Sequence, residues 1–309
     1  MRFLILGTGA VGQLYGGFLH RAGHNVTFLT RPERLAEFQE RGMTLVPEAG
    51  QQGSPFVISD ARFIDRLESM DDVDCVYICV RAEQREEALA TFKPFDCSRK
   101  SVIITFPAWR PALDPWRAVF GNCHYMYPGI MALYRGRAVA YKLGKTKIAP
   151  LFDTPVRESE ALCATMLKAG FPAKMDKALP RRFQTIIAMG FPMLAAISRH
   201  QYDPKPFAHD APLVRLAAQG AKEGLAALKA SGEPLSGMGH AARMMPSFLI
   251  AACLSWIAAG LSGFVREMLE VHFTKIHRQT ILLLNELVAL PGANRLAHPA
   301  IDELLRRAG

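Results

Sequence analysis

Apolar residues in the first half of the chain come in short runs separated by amphipathic stretches. Residues 2–6 predict a strand, 12–22 an amphipathic helix and 26–29 a second strand. A helix is expected at 33–42, closed by its terminal glycine, while 50–59 is looser. The run VDCVYICV at 73–80 is apolar almost throughout, as a strand buried on both faces of a parallel sheet requires. Further along, 86–92 predicts a helix, 101–106 a buried strand, 124–132 and 138–148 hairpin-like strands, 157–169 a last helix and Ala173 a short edge strand. Beyond this point the pattern turns helical, at 181–198, 212–231, 247–260 and 267–290, with connectors such as HQYDPKPFAHDAP between them. Strands alternating with helices, then helices alone, predict an α/β domain over 1–175 and an all-α domain over 176–309. A length of 309 residues suits two cores.

The first strand runs directly into Gly7, Thr8, Gly9, Ala10, Val11 and Gly12, and these into the first helix. In a GxGxxG placed this way the first glycine makes the tight turn and the second lets a diphosphate approach the backbone. The third lets the helix pack closely on the strand. The helix N-terminus adds free N–H groups and partial positive charge. The expected first domain is therefore of the Rossmann type, and Gly7 to Gly12 are its cofactor-binding candidates. At the end of the second strand, where an NAD site usually carries Asp or Glu, this chain has Thr30, Arg31 and Pro32, with Arg34 close behind. A guanidinium there suits the extra phosphate of NADP, so NADP(H) is the expected cofactor and Arg31 its ligand.

Half of the residues are hydrophobic and 21% are charged, which excludes a disordered or fibrous chain. The net charge of +9 is spread without a Lys/Arg run or a basic stripe with interleaved aromatics; a small anionic ligand is expected and nucleic acid is not. Six cysteines without a CxxC pair point to reduced thiols and no metal site, and the opening apolar run is too short for a signal peptide; a cytoplasmic location is expected. Residues 246–265 carry no charge over the length of a bilayer span, but they contain Pro, Ser and Gly. Together with the uncharged 185–198 they are expected to be buried in a helical core or a homodimer interface, with no membrane partner. Met238, Met244 and Met245 are read as helix-packing residues.

The stretches LILGTGAVGQLYGGFLHRAGHNVTFLTR, RGMTLV and DDVDCVYICVRAEQREEAL resemble, in order and spacing, the ketopantoate reductase family; RRFQTIIAMGFPMLAAI, EVHF and PGANRL extend the likeness more loosely. That family reduces 2-dehydropantoate with NADPH in pantothenate biosynthesis, on a Rossmann domain followed by an all-helical domain. The resemblance implies an NADPH-dependent reductase of a small carbonyl substrate. It puts Gln184 where the family has its catalytic lysine, Pro107 and Ala188 where it has asparagines, and Arg81 where it has a lysine at the cofactor. Glu270 matches the family's late acidic residue. Gln184 and Glu270 are thus the catalytic candidates, and Arg81 and Pro107 join the cofactor set. Arg81, Arg182, Lys177 and His272 are the groups that could replace the missing positive charge. Trp109 either shapes an apolar substrate pocket or packs in a core. Because glutamine supplies a dipole and no charge, two readings stay open: a reductase of a 2-oxo acid or related carbonyl or imine, or a cofactor-binding protein without chemistry.

Overall fold

The computed structural model describes residues 1–308, and the chain divides into two compact units. The first comprises Met1–Phe106 and Arg110–Pro180; the second comprises Pro107–Trp109 and Arg181–Gly309. The division thus falls after Pro180 where 175 was expected, and three residues of the intervening segment go with the helical unit.

In the first unit β1 (Arg2–Leu6), α1 (Ala10–Arg21), β2 (Asn25–Leu29) and α2 (Pro32–Arg41) follow the pattern read from the sequence. The strands β3 (Met43–Pro47), β4 (Phe56–Ile58), β5 (Arg62–Ile64) and β6 (Cys75–Ile78) come next, then α3 (Arg85–Ala90), β7 (Ser101–Ile104) and α4 (Arg110–Val119). The unit closes with β8 (Asn122–Tyr127), β9 (Ile130–Arg135), β10 (Ala138–Leu143), β11 (Thr146–Pro150), α5 (Val156–Lys168) and β12 (Ala173–Met175). One sheet runs β12-β11-β8-β7-β6-β1-β2-β5. From β8 to β5 every pairing is parallel, and β1 and β6 mark the point where the chain reverses its direction of progress across the sheet. This is the Rossmann arrangement, in which ligands bind beyond the C-terminal ends of the strands at that reversal. All four residues of β6 are buried, as its unbroken apolar run required.

A second sheet, β4-β3-β10-β9, was not foreseen. The expected pair of long hairpin strands is instead four short ones, with β9 and β10 in the second sheet and β8 and β11 in the first. The two sheets enclose α1. Every residue of α1 from Gly12 to Leu19 is buried, and Phe18 packs its ring edge-on against Phe56 and Tyr141. The first helix is therefore covered all round, not on one face as its pattern suggested.

The second unit contains α6 (Leu179–Ile197) from its third residue on, α7 (Pro204–His209), α8 (Ala211–Ala230), α9 (Gly237–Met244), α10 (Ser247–Gly260), α11 (Gly263–Met268), α12 (His277–Ala289) and α13 (Pro299–Ala308). Helix α8 is the hub, packed against α7, α9, α10, α12 and α13. Trp109 is 2% exposed and donates its indole N–H to the Leu283 carbonyl on α12 at 2.8 Å, so its ring is a core group of this unit and not a pocket wall. The single helix expected at 267–290 is broken by a π turn, Leu269–Phe273, where the Thr274 hydroxyl donates to the Glu270 carbonyl and competes with the helical ladder. Among the described residues no single helix is long and apolar enough to cross a membrane; α9 and α10 reach that length and composition only together, and are bent by 117°. Met238 and Met244, read as packing residues, are 53% and 83% exposed.

Candidate functional site

The turn after β1 is built from its three glycines in three different ways. Gly7 has φ +98, and a Cβ there would lie 2.7 Å from the Cys79 carbonyl oxygen, so neither the conformation nor the space admits a side chain. A Cβ on Gly12 would lie 1.9 Å from the Gly7 carbonyl oxygen, which is the close seating of the helix on the strand. Gly9 differs from both. Its φ of −71 and ψ of −179 suit any residue, and nothing lies within 4 Å of where a Cβ would stand. The molecule's own packing therefore requires Gly7 and Gly12, whereas at Gly9 the backbone lies bare to open space. Gly9 caps α1 without any side-chain hydrogen bond and no acidic residue sits in the first turn, so the N-terminal charge of the helix at Ala10, Val11 and Gly12 is uncompensated.

This open space is a groove of about 910 Å³ beyond the C-terminal ends of β1, β2 and β6. Gly7, Thr8 and Gly9 form one stretch of its wall, and Arg31, Arg34, Arg66 and Arg81 also line it, against two carboxylates, Asp65 and Glu87. The excess of guanidinium over carboxylate makes the groove a field for an anion. Arg31 is 74% exposed at its side chain and lies 3.2 Å from Glu33, a surface contact that leaves its other nitrogens available. The Arg81 side chain is drawn to Glu83, with Nε to Oε1 at 2.5 Å. The Thr8 and Thr30 hydroxyls meet at 2.7 Å and tie the glycine turn to the end of β2. Cys79 also lines the groove, but burial pushes its thiol up to about 12, so it is a neutral wall and not a nucleophile.

The catalytic candidates belong to the other unit. Gln184 lies buried on α6, and Glu270 sits in the π turn, where Arg266 Nε donates to its carboxylate at 2.8 Å while Arg266 Nη2 holds Asp203 at 2.9 Å. Pro107 is half-buried in the short segment grouped with the helices, whereas every residue lining the groove belongs to the first unit. Lys177 and Arg182 flank the start of α6, and His272 is held below its ordinary range by burial and the nearby Lys275 charge. Among the described residues no three His, Cys, Asp or Glu converge to hold a metal ion. Sequence reasoning missed Asp65 and Arg66, which reach the groove from the end of a three-residue strand too short to show a pattern. It also missed Gln13 and Tyr134, which hold the glycine turn from behind.

Residues 3–106 match the family model described as ketopantoate reductase PanE/ApbA. The uncharacterized oxidoreductase YkpB of Bacillus subtilis (strain 168) is 33% identical over 107 residues, 34% of this chain and 33% of that protein. The chain thus spans about a third of the length of that curated relative. Among solved structures, D-mandelate dehydrogenase in ternary complex with NADH and anilino(oxo)acetate superposes with a TM-score of 0.78 at 16% identity, covering 100% of this chain and 97% of the other. A PanE/ApbA family ketopantoate reductase from Ralstonia eutropha JMP134 gives 0.78 at 18% identity, covering 100% and 97%. The 2-dehydropantoate 2-reductase from Geobacter metallireducens GS-15 gives 0.76 at 16% identity, covering 100% and 99%. At these identities the likeness is one of fold.

Proposed function

We propose that this chain, which carries the ketopantoate reductase PanE/ApbA domain over residues 3–106 and the fold of that family's solved members throughout, is an NADP(H)-dependent reductase of a 2-oxo acid or a related carbonyl or imine. The observation that carries this reading is the bare backbone at Gly9 in a groove with four arginines and two carboxylates. A dinucleotide diphosphate fits that position, since it needs close backbone approach, helix N–H groups and positive charge, and all three are present. Arg31, at the end of β2 and largely exposed, is the residue to meet a 2′-phosphate, with Arg66 in the same groove.

When bound, the reduced nicotinamide supplies the hydride. The chain must bind and orient the carbonyl and stabilise the oxygen that gains charge. At the position where the resembling family has its lysine this chain has Gln184, whose amide carries a dipole and no charge. Losing the ionic group lowers the rate by about two to three powers of ten unless another cation compensates. A second reading, a cofactor-binding protein without chemistry, draws on Gln184 and on the engagement of Glu270 with Arg266.

Titration with NADPH and NADH, followed by nicotinamide fluorescence, tests the binding. Loss of the reduced-nicotinamide absorbance with ketopantoate and a panel of 2-oxo acids and imines then tests the chemistry. Turnover above background on any of them supports the reductase; tight NADPH binding with none supports the second reading.

For assembly, the proposal is a homodimer through the helical unit. Phe248 and Trp256 lie on one face of α10, 66% and 80% exposed, with Leu249 and Ile257 beside them. The helix carries no charge and only Ile250, Ala251 and Ala258 are buried. A second copy of the same face would cover this apolar surface.

A further inference from the structure

The carbonyl oxygen of Thr8, inside the glycine turn, accepts from three side chains: Gln13 Nε2 at 3.0 Å, Arg34 Nη1 at 3.0 Å and the Tyr134 hydroxyl at 3.3 Å. Gln13 Nε2 also lies 2.8 Å from the Tyr134 oxygen, so the donors form one network. They come from three places, α1, α2 and β9 of the second sheet. Gln13 is 1% exposed, and a buried amide must spend its hydrogens on partners; here both are protein atoms of the loop's support.

A carbonyl oxygen has two lone pairs, and one of these three donors is a full cation. The peptide joining Thr8 to Gly9 is planar and trans, so its C=O and N–H point in opposite directions. Pulling the Thr8 oxygen toward α2 and β9 therefore turns the Gly9 N–H the other way. We infer that Gln13, Arg34 and Tyr134 are positioning residues that hold the Thr8 carbonyl so that the Gly9 N–H is presented to the diphosphate of the dinucleotide. Donors on the carbonyl also polarise the peptide and strengthen its N–H as a donor. The network assigns the second sheet a task, since β9 brings Tyr134 under a loop 126 residues earlier in the chain. It also commits Nη1 of Arg34 to the loop.

This inference rests on the dinucleotide reading, and its test separates the two. Wild-type protein, Tyr134→Phe and Tyr134→Phe with Arg34→Met are titrated with NADPH and with NADH, and ³¹P spectra of bound NADPH are recorded. The Arg34 guanidinium stacks on the Phe38 ring at 4.4 Å, and methionine offers that ring an apolar group in its place. The double variant is expected to bind both nucleotides about tenfold more weakly, by the same factor. The diphosphate resonances should move while the 2′-phosphate resonance stays. Unchanged affinities and unmoved resonances, or a loss confined to NADPH, overturn the inference. If the double variant does not fold, Tyr134→Phe alone, which removes one oxygen, is decided by the same ³¹P comparison. Wild-type protein that binds neither nucleotide overturns the dinucleotide reading itself, and this inference with it.

Discussion

Arg34 Nη1 lies 3.0 Å from the carbonyl oxygen of Thr8, across the gap between α2 and the glycine turn. Two arginines that stand three positions apart in the sequence are thereby given different work. Arg34 is half-buried, stacked on Phe38 and bound to the loop, whereas Arg31 extends to the groove with most of its side chain exposed.

Cofactor choice should follow this division. Arg31→Asp is expected to weaken NADPH by roughly tenfold or more and to leave NADH unchanged or tighter. Titrations of the variant with both nucleotides check it, and an unaltered NADPH-to-NADH ratio would remove Arg31 from the site.

Gly12→Ala should damage the fold. Its Cβ would stand 1.9 Å from the Gly7 carbonyl, a backbone atom that cannot swing aside, so α1 must move off β1. A loss of about 3 kcal/mol is expected from overpacking of this kind. Denaturant unfolding measures it, and wild-type stability would contradict the close seating.

His124 gives the fold a pH dependence. It is completely buried on β8, with Nδ1 2.7 Å from the Ser159 hydroxyl, and burial holds its pKa down at about 4. Because the folded value lies below the unfolded 6.5, the unfolded chain binds the proton first. Stability is full above pH 6.5 and falls as the pH drops toward 4, by about 1.4 kcal/mol per unit. Between pH 7.5 and 5 the wild type should lose about 2 kcal/mol more than His124→Gln. Equal losses in urea melts would locate the pH dependence elsewhere.

The exposed face of α10 predicts the assembly. Trp256→Glu places a charge in the middle of the proposed contact, on a residue 80% exposed in the single chain. Light scattering should report a dimer for wild-type protein and a monomer for the variant, with the melting temperature of the monomer little changed. A monomeric wild type would reject the dimer.

How far the molecule could be read in advance follows from the range of the interactions involved. Strands β1, β6 and β7 were legible because the positions of a strand that are buried on both faces must be apolar, as Phe3 to Ile5, Cys75 to Ile78 and Val102 to Ile104 are, whatever their neighbours. The glycine turn was legible from its spacing: Gly12 answers to Gly7 and Ile5 of the same strand-turn-helix unit, although Gly7 answers to Cys79 at the distant end of β6. The second sheet was not, because β4 has three residues and its sheet is completed by β9 and β10, far along the chain. Tyr134 gave no signal at all: its role exists only once β9 is folded against α1. Helix α4 was overlooked because Pro115 lies within it, and at the break between α11 and α12 the Thr274 hydroxyl bonds the Glu270 carbonyl while Arg266 of α11 reaches Asp203 outside the helix. Among the residues that line the groove, the glycine turn and Arg31 were singled out from spacing, while Asp65 and Arg66 required the strand order that sets β5 beside β2.

The most direct test of the account is Gly9→Ala. Alanine meets no atom within 4 Å at that position and the backbone there is ordinary, so the variant should fold, with an unfolding free energy within about 1 kcal/mol of the wild type, the cost of alanine at a helix N-cap. The added methyl stands where the diphosphate must approach, and titration should find NADPH and NADH binding weakened by about a hundredfold or more. A folded Gly9→Ala protein that binds both nucleotides as tightly as the wild type would contradict the account.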